Sequence, residues 1–74
     1  MVREPSQVHL DVGKKIAFFR IKMTKKSQEQ LASDLGMSAS YLCQLEGGQR
    51  NPTLDKLLSI SAEFKVDVGE FFKP

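Results

Sequence analysis

Hydrophobic residues fall at helical spacing through most of the chain, and no alternating strand pattern appears. Val12, Ile16, Phe19 and Met23 recur at steps of four, three and four, which predicts a first helix from about Asp11 to Met23 with Phe18 beside the stripe and partly exposed. Ser27 with Gln30 makes a Ser-x-x-Gln capping box for a second helix over about 28–35, carrying Leu31, Ala32 and Leu35 and ended by Gly36. A third helix starts after Ser38, points Leu42 and Leu45 inward and ends at Gly47-Gly48. Thr53 caps a fourth helix bearing Leu54, Leu57, Leu58, Ser61 and Phe64. Asp67 and Glu70 form a second capping box for a short fifth helix with Val68, Phe71 and Phe72. Residues 1–9 are polar, contain Pro5 and show no period, so they are expected to form a flexible N-terminal arm. Residues 10–74 then form one compact, all-α, five-helix domain.

The second and third helices meet across a turn of about three residues around a glycine, a helix-turn-helix arrangement over about residues 28–47. Gln28, Ala32, Gly36, Leu42 and Leu45 occupy positions 1, 5, 9, 15 and 18 of that twenty-residue unit. Ala32 must be small because the third helix crosses close to it, and Gly36 permits the tight turn.

Composition narrows the function classes. A chain of 74 residues with 41% hydrophobic and 27% charged residues supports one small domain with an ordinary polar exterior. It lacks the roughly 20 consecutive apolar residues of a membrane span and has no signal-peptide layout, so a cytoplasmic location without membrane association is expected. One cysteine, Cys43, and one histidine, His9, allow neither an internal disulfide nor a structural zinc site. No catalytic grouping or phosphate-cradling loop can be assembled, which argues against an enzyme and against any cofactor or metal. The net charge of +2 conceals an asymmetry: residues 1–26 carry seven basic and two acidic groups, residues 27–74 four basic and seven acidic. Such a distribution gives one face that attracts polyanions.

The run Ser27-Gln-Glu-Gln-Leu-Ala32, then Gly36-Met-Ser38, then Tyr41-Leu-Cys-Gln-Leu-Glu46-Gly-Gly-Gln-Arg50-Asn-Pro52 resembles the Cro/XRE group of lambda-repressor-like DNA-binding domains. The stretch from Tyr41 to Asn51 is also similar to the controller proteins of restriction–modification systems. The resemblance covers about residues 10–72. It implies a five-helix fold, operator binding with the third helix in the major groove, a homodimer, and an ion pair between Arg20 and Glu46 linking helices 1 and 3. Two departures stand out: the connection between helices 1 and 2 is one residue longer than usual, and Gly47, often basic in the family, has no side chain.

The reading face follows from helix geometry alone. At 100° per residue, Leu42 and Leu45 define the buried side of the third helix, so Ser40, Cys43, Gln44 and Gly47 lie opposite, flanked by Ala39 and Tyr41. A recognition helix presents mainly its N-terminal part to base edges, which selects Ala39, Ser40, Tyr41 and Gln44. Gln44 can pair with adenine N6 and N7, Ala39 can meet a thymine methyl, and the set holds no arginine for guanine. Gln28 at the start of the second helix, Lys25 and Lys26 before it, and Gln49, Arg50 and Asn51 after the third helix are the candidate phosphate contacts.

These readings combine into a dimeric, sequence-specific transcriptional regulator on a pseudo-palindromic operator in double-stranded DNA. Val68, Phe71 and Phe72 are the expected dimer interface, because a domain this small cannot cover every aromatic. RNA polymerase or a toxin is a possible protein partner. The alternative is an antitoxin-like interaction module for which DNA binding is secondary. Cys43 grazes the reading face without an assured basic neighbour, and His9 has no assigned role.

Overall fold

The computed structural model describes residues 3–73: four α-helices, a π-helical turn and a C-terminal 3-10 helix, with no strand among the described residues. In chain order these are α1 (Pro5–Phe19), the π turn (Arg20–Thr24), α2 (Gln28–Asp34), α3 (Ala39–Glu46), α4 (Leu54–Phe64) and the 3-10 helix (Val68–Phe72). Among the described residues no helix is long and apolar enough to cross a membrane.

The first helix starts earlier than its apolar stripe suggests. Residues 5–9, expected in an arm, form its opening turns, while residues 1 and 2 of that arm lie outside the described residues. Pro5 sits at the first helical positions, where its preset φ suits the helix and its missing N–H leaves nothing unsatisfied. The backbone N–H groups of Gln7 and Val8 donate to the Glu4 carbonyl at 3.0 and 3.1 Å. Val8 packs against the core, and His9 is half-buried rather than loose.

The end of the first helix also differs. From Arg20 the hydrogen bonding widens to the π pattern, and the Lys25 N–H closes the turn on the Arg20 carbonyl at 3.0 Å with Lys25 left-handed at φ 57°. Each π step rotates the chain less than an α step, so the stripe slips out of phase. Met23, expected on the buried side, is 48% exposed, and Ile21 is exposed as well.

Ser27, Ser38 and Thr53 each cap the following helix by accepting from the backbone N–H three residues on, and the Ser27–Gln30 capping box is complete. Asp67 behaves differently. Its carboxylate accepts from the Gly69 N–H at 2.8 Å, but the Glu70 side chain accepts from Lys73 instead of returning to the cap. Neither bond of the expected second capping box forms; Asp67 caps only the N–H two residues on, and the last helix is a 3-10 helix.

The core gathers Val12 and Ile16 of α1, Leu31 and Ala32 of α2, Leu42 and Leu45 of α3, Leu57, Ile60 and Phe64 of α4, and Phe71. Phe71 is fully buried, with its ring centroid 6.0 Å from that of Phe19 and 6.2 Å from that of Phe64 in an edge-on arrangement. Its expected place in a dimer interface is thus overturned: it closes the monomer core. Two glycines allow α1 to lie directly on the end of α3. A methyl at Gly13 would stand 2.4 Å from the Leu45 carbonyl oxygen, and one at Gly48 would stand 2.9 Å from the Leu10 Cα.

Candidate nucleic-acid interface

The helix-turn-helix is built by α2 and α3. Gly36, left-handed at φ 69°, reverses the chain, and the Met37 N–H reaches back to the Ala32 carbonyl at 2.9 Å. A side chain at Gly36 would meet open space, so it is the backbone conformation that requires glycine there. Leu42 and Leu45 anchor α3 at 0% and 1% exposure. The opposite face of α3, with Ser40 and Cys43 exposed and Gln44 half-buried, is free of the core.

A buried ionic node fixes α3 relative to α1 and α2. Arg20 Nε donates to Glu46 Oε2 at 2.8 Å and its Nη2 to Oε1 at 3.1 Å, while the Gln28 side-chain amide donates to the same Oε1 at 2.9 Å. Arg20 Nη1 donates to the Lys26 carbonyl at 2.9 Å, which ties in the connection before α2. The two charged side chains are 13% and 6% exposed, and the carboxylate accepts three hydrogen bonds. This is the well-satisfied geometry a buried pair needs to offset its desolvation. The π turn serves the node: Thr24 Oγ1 donates to the Arg20 carbonyl at 2.6 Å and accepts from the Lys26 N–H at 3.1 Å.

The candidate contact residues separate into distinct environments. Ser40 is exposed on the outward face, whereas Ala39 and Tyr41 are half-buried against the core at its flanks. Gln28 stands at the start of α2 with its amide engaged by Glu46. Lys25 is exposed. Lys26 differs from its neighbour: its ammonium donates to Asp34 and, at 3.3 Å, to Glu63, bridging α2 and α4. The Asp34 hydrogen bond first, and that to Glu63 second, hold its pKa above the ordinary lysine value. Lys26 is thus less a free cation than its place in the sequence suggests. Gln49 and Asn51 are exposed after α3.

Arg50 is folded back over the reading helix. Its Nε donates to Gln44 Oε1 at 2.7 Å, and its guanidinium carbon lies 5.4 Å from the Tyr41 ring centroid. The sequence reading found no arginine for guanine on this face; the chain reversal at Gly47 and Gly48 brings one there. Gly48 is left-handed at φ 74°, and the Gln49 N–H donates to the Gln44 carbonyl at 2.9 Å. Separation in sequence hid this contact, and only the short Gly-Gly link hinted at it.

An exposed apolar surface joins Phe72, expected from the sequence, to two leucines of α4 that were not. Leu54 and Leu58, four residues apart on α4, are 63% and 45% exposed, and Phe72 is 43% exposed. Leu54 and Phe72 line one shallow groove with Val8, His9, Asn51, Pro52 and Leu57. Phasing α4 on Leu57, Ile60 and Phe64 would have put Leu54 and Leu58 at the edge of its buried stripe.

Comparison with known proteins agrees with this geometry. A helix-turn-helix family model (HTH_3) matches residues 19–71. The chain is 30% identical to the control protein C.MunI of Mycoplasma sp over 67 residues, 90% of each protein. It is 32% identical to the control protein C.BamHI of Bacillus amyloliquefaciens over 61 residues, 82% of this chain and 75% of that protein. Among solved structures, the restriction-modification controller protein C.AhdI from Aeromonas hydrophila superposes with a TM-score of 0.84 at 27% identity, covering 95% of this chain and all of the other. A hypothetical transcription factor from Neisseria, NHTF, shares the fold with a TM-score of 0.84 at 20% identity, over all of this chain and 84% of its own. The chain belongs to the helix-turn-helix family of Cro/XRE type.

Proposed function

We propose that this protein is a sequence-specific regulator of transcription that lays α3 in the major groove of double-stranded DNA, in the manner of the controller proteins it is similar to. The observation that carries this reading is the two-sided character of α3. Leu42 and Leu45 lock one side into the core while Ser40 and Gln44 stand on the other, with Ala39 and Tyr41 as flanking contacts. A helix of eight residues held this way enters a groove about 12 Å wide without rearranging the domain.

Lys25 and Gln28 on one side of α3, and Gln49 and Asn51 on the other, are suited to the two phosphate backbones flanking the groove. Gln28 can serve the phosphate only by sharing its amide with Glu46, a link that would also fix its orientation. The family is one of DNA-binding regulators rather than enzymes, and the chemistry proposed for this site is recognition alone.

The working unit is a two-fold dimer. One short helix reads too few base pairs to single out a genomic site, and two readers about 34 Å apart on a pseudo-palindrome resolve that. Leu54, Leu58 and Phe72 supply the exposed apolar surface such a contact requires, with half-buried Val68 beside Phe72 in the C-terminal helix. Selection from a pool of random duplexes tests the reading. An enriched pseudo-palindrome with half-sites one helical turn apart is expected, and recovery of unenriched sequence would overturn it.

A further inference from the structure

We propose that Arg50 and Gln44, with the Tyr41 ring as their platform, act as one reading unit that turns mainly hydrogen-bond donors to the major groove and selects guanine, making Arg50 a specificity-determining residue. This rests on the operator-binding reading above.

A free glutamine at this position would read adenine, donating to N7 and accepting from the N6 amino group. Here the acceptor half of that pairing already has one of its two lone pairs engaged. Gln44 Oε1 accepts from Arg50 Nε at 2.7 Å, and a permanent positive charge lies beside it. An adenine amino group brought to that oxygen would compete with Arg50 and face a like-signed neighbour. The groups left over around the guanidinium are the Gln44 amide hydrogens and the two terminal nitrogens of Arg50, which take part in no other hydrogen bond among the described residues; the second lone pair of Oε1 faces the like-charged obstacle just described. The groups left over are all donors. Guanine is the base whose major-groove edge presents two acceptors, N7 and O6.

The unit is held in place before any DNA arrives. Tyr41 is half-buried against the core, so its ring is a fixed platform 5.4 Å from the guanidinium carbon. Left-handed Gly48 turns the chain so that Arg50 returns over α3.

The test compares wild type, Arg50→Lys, Arg50→Ala and Gln44→Ala by selection from random duplexes, followed by titration of the selected site. Arg50→Lys keeps the charge but loses the Nε donor and the planar stack. It should leave the slope of log affinity against log salt unchanged while lowering guanine preference at one base pair per half-site by about tenfold. Gln44→Ala should relax the same base pair. Replacing that guanine by 7-deazaguanine should weaken the wild type and leave Arg50→Lys nearly indifferent. If Arg50→Ala retains the full guanine preference, or weakens all duplexes equally with a slope smaller by about 1, Arg50 is a phosphate contact and the proposal is overturned alone. Adenine at the position that Gln44 controls would overturn it too. A wild type that enriches no sequence overturns both this proposal and the operator reading.

Discussion

Gly13 of α1 lies so close to the last turn of α3 that a methyl group on it would stand 2.4 Å from the carbonyl oxygen of Leu45. The same methyl would be 2.6 Å from the Glu46 carbonyl oxygen. Because both neighbours are backbone, no side-chain rotation can relieve the clash. Alanine in a helix interior normally gains about 1 kcal/mol over glycine, and overpacking a core costs about 1–3 kcal/mol. A clash with backbone belongs at the upper end of that range, so the steric effect wins. Gly13→Ala should lower stability by about 2 kcal/mol, and the melting temperature of this small domain by roughly 8 °C or more, in a thermal unfolding scan. An unchanged or raised melting temperature would show that α1 and α3 can separate at no cost.

Arg20 and Glu46 should be strongly coupled. Removing one partner of a buried ion pair leaves the other charged and unpaired, at a cost of about 3–5 kcal/mol. Arg20→Ala strands Glu46 with only the Gln28 amide as donor, and Glu46→Ala strands Arg20. The double variant should be clearly more stable than the sum of the two losses predicts, as read by a urea-denaturation double-mutant cycle. Additive losses would mean that the pair contributes only through independent packing.

The two adjacent lysines should behave differently in DNA binding. Lys25 is exposed, whereas Lys26 is drawn toward Asp34 and Glu63. Lys25→Ala should reduce the slope of log affinity against log salt by about 1, and Lys26→Ala should change it much less. Equal reductions would mean that Lys26 releases both carboxylates to reach a phosphate.

Among the C-terminal aromatics, Phe71 and Phe72 should part in the same way. Phe71→Ala removes a fully buried ring and should cost about 3–5 kcal/mol of stability in the monomer. Phe72→Ala, like Leu58→Ala, should leave the fold intact and weaken self-association in sedimentation at micromolar concentration. A wild type that sediments as a monomer and occupies single half-sites would contradict the dimer.

What the sequence made legible was whatever depends on local periodicity and capping. The turn at Gly36, the caps at Ser27, Ser38 and Thr53, and the buried pair Leu42 and Leu45 all follow from residues a few positions apart. Met23 was misread because the π turn breaks the 100° step that the reading assumed, and nothing in the local pattern announces that break. The start at Pro5 was missed because polar residues there give no stripe, although proline in a first turn is a usable signal. The division of labour between Phe71 and Phe72 was hidden for another reason: a 3-10 turn of five residues has too little length to set a phase, and tertiary packing decides which ring goes inside. The Arg50–Gln44 contact and the Lys26 bridge depend on side chains meeting across chain reversals, which periodicity does not describe.

Whether the outward face of α3 reads bases is decided by comparing Gln44→Ala with wild type on two duplexes. One duplex carries the selected half-sites and the other a scrambled sequence of the same length, both at one fixed salt concentration. Gln44→Ala should lose about 1–3 kcal/mol on the selected duplex and almost nothing on the scrambled one. Equal losses on both duplexes would contradict base reading.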